Sequence, residues 1–444
     1  MKLQKIVILL ILLIVLFYFV QIDFTYLGMT LIFDISIVLL FTIFLSNKYK
    51  FISPSSLYVF IFYVYNIFGK SIYVYRELNW FNEEGDPNEI ANYFSFIGLA
   101  LVISSILSIQ RSLRKNLTSP SALSINVSNE TLMIFTIFTF IGAFLFTNQF
   151  RHIALFSEDM DATRVLTSKQ SDGGRGIGFI FLTFGIIANS LVLINLNKNK
   201  SRRNYGQILF FVINTFFLAL YSGRFLPVIP IVIYLVVINE GKVLKFSGAI
   251  KKIALSIVAF IALMVFGARR AFGSNADFDL ILRFLIGDSF PEFRMTVYAN
   301  HLTSNNYFDN FFYTIFSGVI PGPFFSLIGL NKFDYFKPIG GEILKITHFD
   351  PVAIPGIRTS LFGELYFTGF FIPVFIIVLI FFLRYLDRLF FTEQTMNFKK
   401  FRILAGSVFL CFSVPYGSLF VVSCVHFFLA LYLSERMFFK KKLS

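Results

Sequence analysis

Apolar runs of roughly 15–22 residues recur along almost the whole of this sequence, and few folds can accept them. As a helix, each is long enough to cross a bilayer while satisfying its backbone polar groups internally. The totals leave no soluble alternative. Apolar residues make up 56% of the 444 residues, 63 are phenylalanine, and only 14% are charged. A globular chain of this size has too little interior to hide so much phenylalanine. The sequence therefore predicts an all-α polytopic membrane protein. Residues 1–444 form a single integral membrane domain with about twelve transmembrane helices.

The runs read as helices over Ile6–Val20, Tyr26–Leu45, Pro54–Tyr75, Tyr93–Ile109, Leu132–Thr147 and Ile177–Leu196. Six more follow over Gln207–Tyr221, Phe225–Ile238, Ile253–Phe266, Phe367–Leu383, Ile403–Pro415 and Leu419–Leu433. The first begins like a signal peptide, but no small-x-small cleavage site follows, so it reads as a retained helix. An even number of crossings puts both termini on one side. Loops on that side (NKYK, QRSLRK, NKNKSRR and the KKK of the tail) hold most of the Lys and Arg and few acids. Positive-inside bias then places both termini in the cytoplasm. It also accounts for the net charge of +14 without nucleic acid. On the opposite side arginine outnumbers lysine. Orientation needs only positive charge, so that excess points to planar, bidentate recognition of phosphate or carboxylate.

Residues 267–366 form the longest polar interval, read as a large extracytoplasmic loop. Within it, residues 311–330 are apolar enough to enter the bilayer, but Pro321-Gly322-Pro323 breaks them in the middle. A re-entrant or interfacial hairpin fits, because a single crossing would reverse the charge topology of everything after it.

No P-loop, dinucleotide fingerprint, zinc spacing or nucleophile elbow is present. Cys411 and Cys424 lie in apolar runs, which argues against a disulfide framework or a cysteine metal site. What remains are polar groups that cost energy near a membrane. Arg224, in the Ser-Gly-Arg turn between two apolar helices, either snorkels to headgroups or binds an anion. Arg269 and Arg270 are adjacent cations that favour a shared anionic partner, a lipid headgroup or a diphosphate. Arg164 and Arg175 lie in the polar loop before a helix. Arg175 at that helix's start opposes the macrodipole, and so faces a ligand or a carboxylate. Asp288, Glu292 and Arg294 form a local ion-pair network or position a sugar hydroxyl. His301 and His348 are loop histidines. Arg358 and Glu364 are six apart, which is not a helical pairing distance. Asp34 sits inside its helix and pairs with a neighbour or lines a wet cavity. Apart from it, helix interiors read as nearly charge-free, with Lys70 at the outer end of its helix and Asp387 in RYLDRL, after the run that ends at Leu383.

Several of these features occur together, in one order. They are SPSSLYVFIFYVY at the start of a helix, the Ser-Gly-Arg turn, the Arg-Arg pair, and an ending Arg358-x-x-x-x-Gly363-Glu364-x-Tyr366-x-x-Gly369. In this the chain resembles the Wzy-type oligosaccharide repeat-unit polymerases, the O-antigen and capsule polymerases. The resemblance implies a fold like the GT-C membrane glycosyltransferases, in the bacterial cytoplasmic membrane. It implies undecaprenyl-diphosphate-linked repeat units as substrates and a separate chain-length regulator as partner. A hydroxyl of one repeat unit would attack the anomeric carbon of a chain held on a lipid diphosphate. Arg164, Arg175, Arg224, Arg269, Arg270, Arg294 and Arg358, with Tyr366, are the candidates to bind that diphosphate or the sugars. Cationic stabilisation of the leaving group needs no metal and no other cofactor. His348, Glu364 and His301 are the candidates for the base. An O-antigen ligase would share this fold and chemistry. A lipid-linked oligosaccharide flippase would instead bury charges along several helices.

Overall fold

The computed structural model describes residues 26–48, 53–74, 87–113, 125, 127–150, 175–198, 205–222, 225–239, 293, 296–297, 360–393, 397–416 and 418–439. Every element among them is helical. They run α1 (Tyr26–Lys48), α2 (Pro54–Val74), α3 (Pro87–Leu113), α4 (Asn129–Phe150), α5 (Arg175–Lys198), α6 (Tyr205–Ser222) and α7 (Phe225–Asn239). Further along the chain come the short α8 (Ser360–Tyr366), a 3-10 turn (Gly369–Phe371), α9 (Ile372–Thr392), α10 (Phe398–Cys411), α11 (Ser413–Tyr416) and α12 (Ser418–Ser434). A π-helical turn, Glu435–Phe439, ends the described chain. The apolar runs of Ile6–Val20 and Ile253–Phe266 and the hairpin at 311–330 lie outside the described residues.

Among the described residues, four spans are long and apolar enough to cross a membrane: Leu27–Leu45, Pro87–Arg111, Gly178–Lys198 and Gly369–Thr392. The outward faces of two of them, and of α4, support that reading. Phe96, Ile103 and Leu107 form one exposed stripe on α3, Met133, Ile137, Phe140 and Phe144 another on α4, and Val374, Ile377, Val378 and Phe381 a third on α9. These are helical spacings. A soluble monomer does not expose apolar stripes of this extent, whereas lipid tails cover them at no cost.

Local chemistry fixes where the helices start. Pro54 opens α2 at a position where its missing N–H costs nothing. Ser53 caps it: its Oγ accepts from Ser56 N (3.3 Å), and Ser56 Oγ accepts from Ser53 N (2.8 Å). This is a reciprocal box with serine in the usual glutamate place. Ser128 caps α4 through Thr131 N, and Asn397 caps α10 through Lys400 N. Just before α10, burial alone would raise the Glu393 carboxyl. Hydrogen bonds from Lys399 and Asn397, and the charges of Lys399 and Lys400, more than offset this and hold it below the usual glutamate range.

The helices gather in two groups. In the first, α1, α2 and α3 pack on one another, and α9 lies against α2 and α3. In the second, α4, α5, α6 and α7 pack together. Small residues set the closest approach there: a Cβ on Gly142 of α4 would stand 2.7 Å from Leu182 N and 2.8 Å from Gly178 O, both on α5. Neighbouring residues of α6 tie it to both partners. Asn214 Nδ2 donates to Thr136 Oγ1 of α4 (3.0 Å), and Thr215 Oγ1 accepts from Asn189 Nδ2 of α5 (2.9 Å). Helix α10, buried along nearly its whole length, joins the groups by packing on α2 and α9 on one side and α7 and α12 on the other.

Candidate functional site

The first group has two distinct ends. The end of α2 and the starts of α1, α3 and α9 share what is here termed the upper end. The start of α2 and the ends of α3 and α9 share the lower end.

At the upper end lies the segment that precedes α9. It forms α8, which begins with Ser360 at φ 64°, a left-handed conformation unusual for serine. That strain costs on the order of 1–3 kcal/mol. The Ser360 Oγ offsets part of it by accepting from Gly363 N at 2.9 Å. After α8, Gly369 adopts φ 55°, which only glycine takes cheaply, and the chain turns into α9. The final glycine of the Gly-Glu-x-Tyr-x-x-Gly segment therefore has a backbone reason.

Side chains from the first turns of α3 hold α8 down. Tyr93 donates its hydroxyl to Phe362 O (3.0 Å), and its ring stands edge-on to that of Tyr366 at 5.1 Å. Tyr366 donates its hydroxyl to Glu89 Oε1 at 2.8 Å. Beneath, Phe362 is fully buried and meets Phe62 of α2 edge-on at 4.8 Å. Phe94 stacks on Phe62 and meets Phe293, so the large loop also reaches this aromatic floor. Phe293, Thr296 and Val297 are all buried at i, i+3, i+4 spacing, one face of a helical turn.

Deeper at this end, Lys70 of α2 is completely buried and spends all three N–H donors. They go to Asp34 Oδ2 (2.6 Å), Ala91 O (2.9 Å) and Ser95 Oγ (2.7 Å). Asn66, one turn before Lys70, also donates to Asp34 Oδ2, at 2.8 Å. Lys70 does stand near the outer end of its helix, as the sequence suggests, but it is buried there rather than facing a loop. The lysine faces inward because three acceptors on two other helices await its ammonium.

The lower end holds a second buried acid. The apolar run predicts a helix ending at Leu383, but α9 runs on through RYLDRL and buries Asp387. Asp387 Oδ1 accepts from Ser55 N (3.0 Å) and Oδ2 from Ser55 Oγ (2.6 Å). The single Ser55 proton is then committed, so Ser105, 2.7 Å from Ser55 Oγ, must be the donor in that contact. Interior charge is thus not confined to Asp34.

Of the sequence candidates, Glu364 and Tyr366 lie together on α8, and Arg175 is the first residue of α5. Arg164, Arg224, Arg269, Arg270, Arg294, Arg358, His301 and His348 lie outside the described residues. Among the described residues no group of three or more His, Cys, Asp or Glu side chains is placed to hold a metal ion. The sequence reading missed Glu89 and Tyr93. Their signal was Pro87-Asn-Glu, a helix start rather than a loop, with an acid in its first turn.

No family model, curated protein or solved structure matches the chain.

Proposed function

We propose that this protein polymerises undecaprenyl-diphosphate-linked oligosaccharide repeat units into O-antigen or capsular polysaccharide. It does so as a metal-independent glycosyltransferase on the outer face of the bacterial cytoplasmic membrane. About twelve helices carry it in a GT-C-like arrangement with both termini cytoplasmic. The observation that carries the reading is the docking of Gly363-Glu364-x-Tyr366-x-x-Gly369 on α3 at one end of the bundle. There a tyrosine and two carboxyl-bearing residues stand where the longest polar loop rejoins an apolar span. A lipid-linked sugar needs its diphosphate at the headgroups and its reacting hydroxyl just outside them. In this reading the loop arginines stabilise the leaving diphosphate. Arg164, Arg175, Arg224, Arg269, Arg270, Arg294 and Arg358 supply that charge, and His348, Glu364 or His301 takes the proton of the acceptor hydroxyl.

One finding favours a flippase instead: Asp34, Lys70 and Asp387 are all buried in helices. Transport routes are lined by such groups. Here, however, Lys70 and Asp387 have their hydrogen bonds filled by neighbouring helices, as structural ties would. A ligase shares the chemistry and differs in acceptor. Surface polysaccharide from a strain lacking the protein separates the readings on one gel. The expected outcome is loss of the long-chain ladder with a single repeat unit still displayed. Loss of the single unit as well would refute the polymerase reading in favour of the ligase or flippase.

A further inference from the structure

We propose that Glu89, held by Tyr366, is the carboxylate that receives the proton of the attacking sugar hydroxyl. The inference rests on the polymerase reading and takes the base from α3, at the same end of the bundle, in place of His348, Glu364 or His301. Glu89 is exposed in the first turn of α3. Its Oε1 accepts from the Tyr366 hydroxyl at 2.8 Å, which fixes the carboxylate's direction. Oε2 has no partner among the described residues and stands open to solvent. Glu364, the carboxylate suggested by the sequence, is half-buried on α8 and engaged with neighbours. Of the two acids on α3 and α8 among the described residues at this surface, Glu89 is therefore the one with an oxygen available to a ligand.

Its surroundings suit a sugar. The rings of Tyr93 and Tyr366 stand edge to face at 5.1 Å, and Tyr93 is itself fixed by its bond to Phe362 O. Rigid tyrosines beside a carboxylate offer an apolar face for the sugar ring and an acceptor for its hydroxyls. The balance of the step is simple. The acceptor oxygen forms a bond to the anomeric carbon of the growing chain. The bond from that carbon to the lipid diphosphate breaks, and the diphosphate leaves with the electron pair. The hydroxyl proton passes to Glu89 Oε2. Tyr366 is the positioning residue, acting through Glu89.

The test uses full-length protein in lipid nanodiscs with lipid-linked repeat units extracted from cells lacking this protein. Glu89→Gln keeps an oxygen to accept from Tyr366 but cannot take a proton. It should lower the polymerisation rate by on the order of 10²–10⁴ while keeping the melting temperature of the wild type. A Glu89→Gln protein as active as wild type would show that Glu89 only latches α8, and would overturn the proposal. Should that variant be unstable, Tyr366→Phe decides: it removes the positioning bond and leaves the carboxylate. A reduced kcat at unchanged KM for the lipid-linked units, with the fold intact, supports the proposal; an unchanged rate, or a loss confined to KM as direct substrate binding by Tyr366 would give, overturns it. Wild-type protein that makes no polymer from these units fails the polymerase reading itself, a result distinct from either variant outcome.

Discussion

Asp34 and Asp387 face the same problem at opposite ends of one helix group, and they are satisfied in different ways. Both are wholly buried. Asp34 is balanced by a cation, with Lys70 and Asn66 converging on a single carboxylate oxygen. Among the described residues Asp387 meets neutral serine donors, chiefly the backbone N–H and hydroxyl of Ser55, at the positive end of the α2 dipole. A buried acid in this fold thus needs either an opposite charge or a helix N-terminus. The first solution is brittle, because each partner is costly alone. The second spreads the load over groups that remain neutral when one is lost.

That contrast can be broken experimentally. Lys70→Ala should be the most damaging change, because it leaves Asp34 buried with no cation and only the neutral Asn66 donor, at a cost of about 3–5 kcal/mol. Thermal unfolding in nanodiscs would measure it. The double change of Asp34 and Lys70 to leucine should recover much of the loss, and a double variant worse than Lys70→Ala would sink the account of a costly unpaired charge. Ser55→Ala should cost less, roughly 1–3 kcal/mol, since the Ser55 N–H still reaches Asp387. A loss as large as that of Lys70→Ala would mean that the neutral donors are not interchangeable supports. Ser53→Ala touches only the α2 cap and should cost about 1 kcal/mol. Hydrogen exchange at the first amides of α2 would show whether the damage stays local.

The same two acids show how far the sequence could be read. Helix positions followed from apolar runs because burial in lipid demands length, and α2 was legible almost to the residue. Asp34 was recognisable because it interrupts such a run. Asp387 was not, because the apolar run ends at Leu383 and charged residues follow. Yet Leu383, Leu386, Asp387 and Phe390 are the buried positions of that stretch, and they recur at helical spacing. An acid standing in an apolar stripe was the available signal. Lys70 follows Tyr63 and Asn66 on one face in the same way. The contacts at the upper site lie beyond such periodicity. Glu89 and Tyr366 are separated by 277 positions, and nothing local in either segment names the other.

That separation, and the longer one at the lower end, bear on how the protein is made. Ser55 and Asp387 are 332 positions apart. While a ribosome is still producing the middle of the chain, the amide at the start of α2 has to wait for its carboxylate. The first helices therefore enter the bilayer with a provisional partner, water or a headgroup phosphate, at that amide. Only the arrival of α9 replaces it. Truncation before that point would leave inserted helices whose lower end had never been sealed.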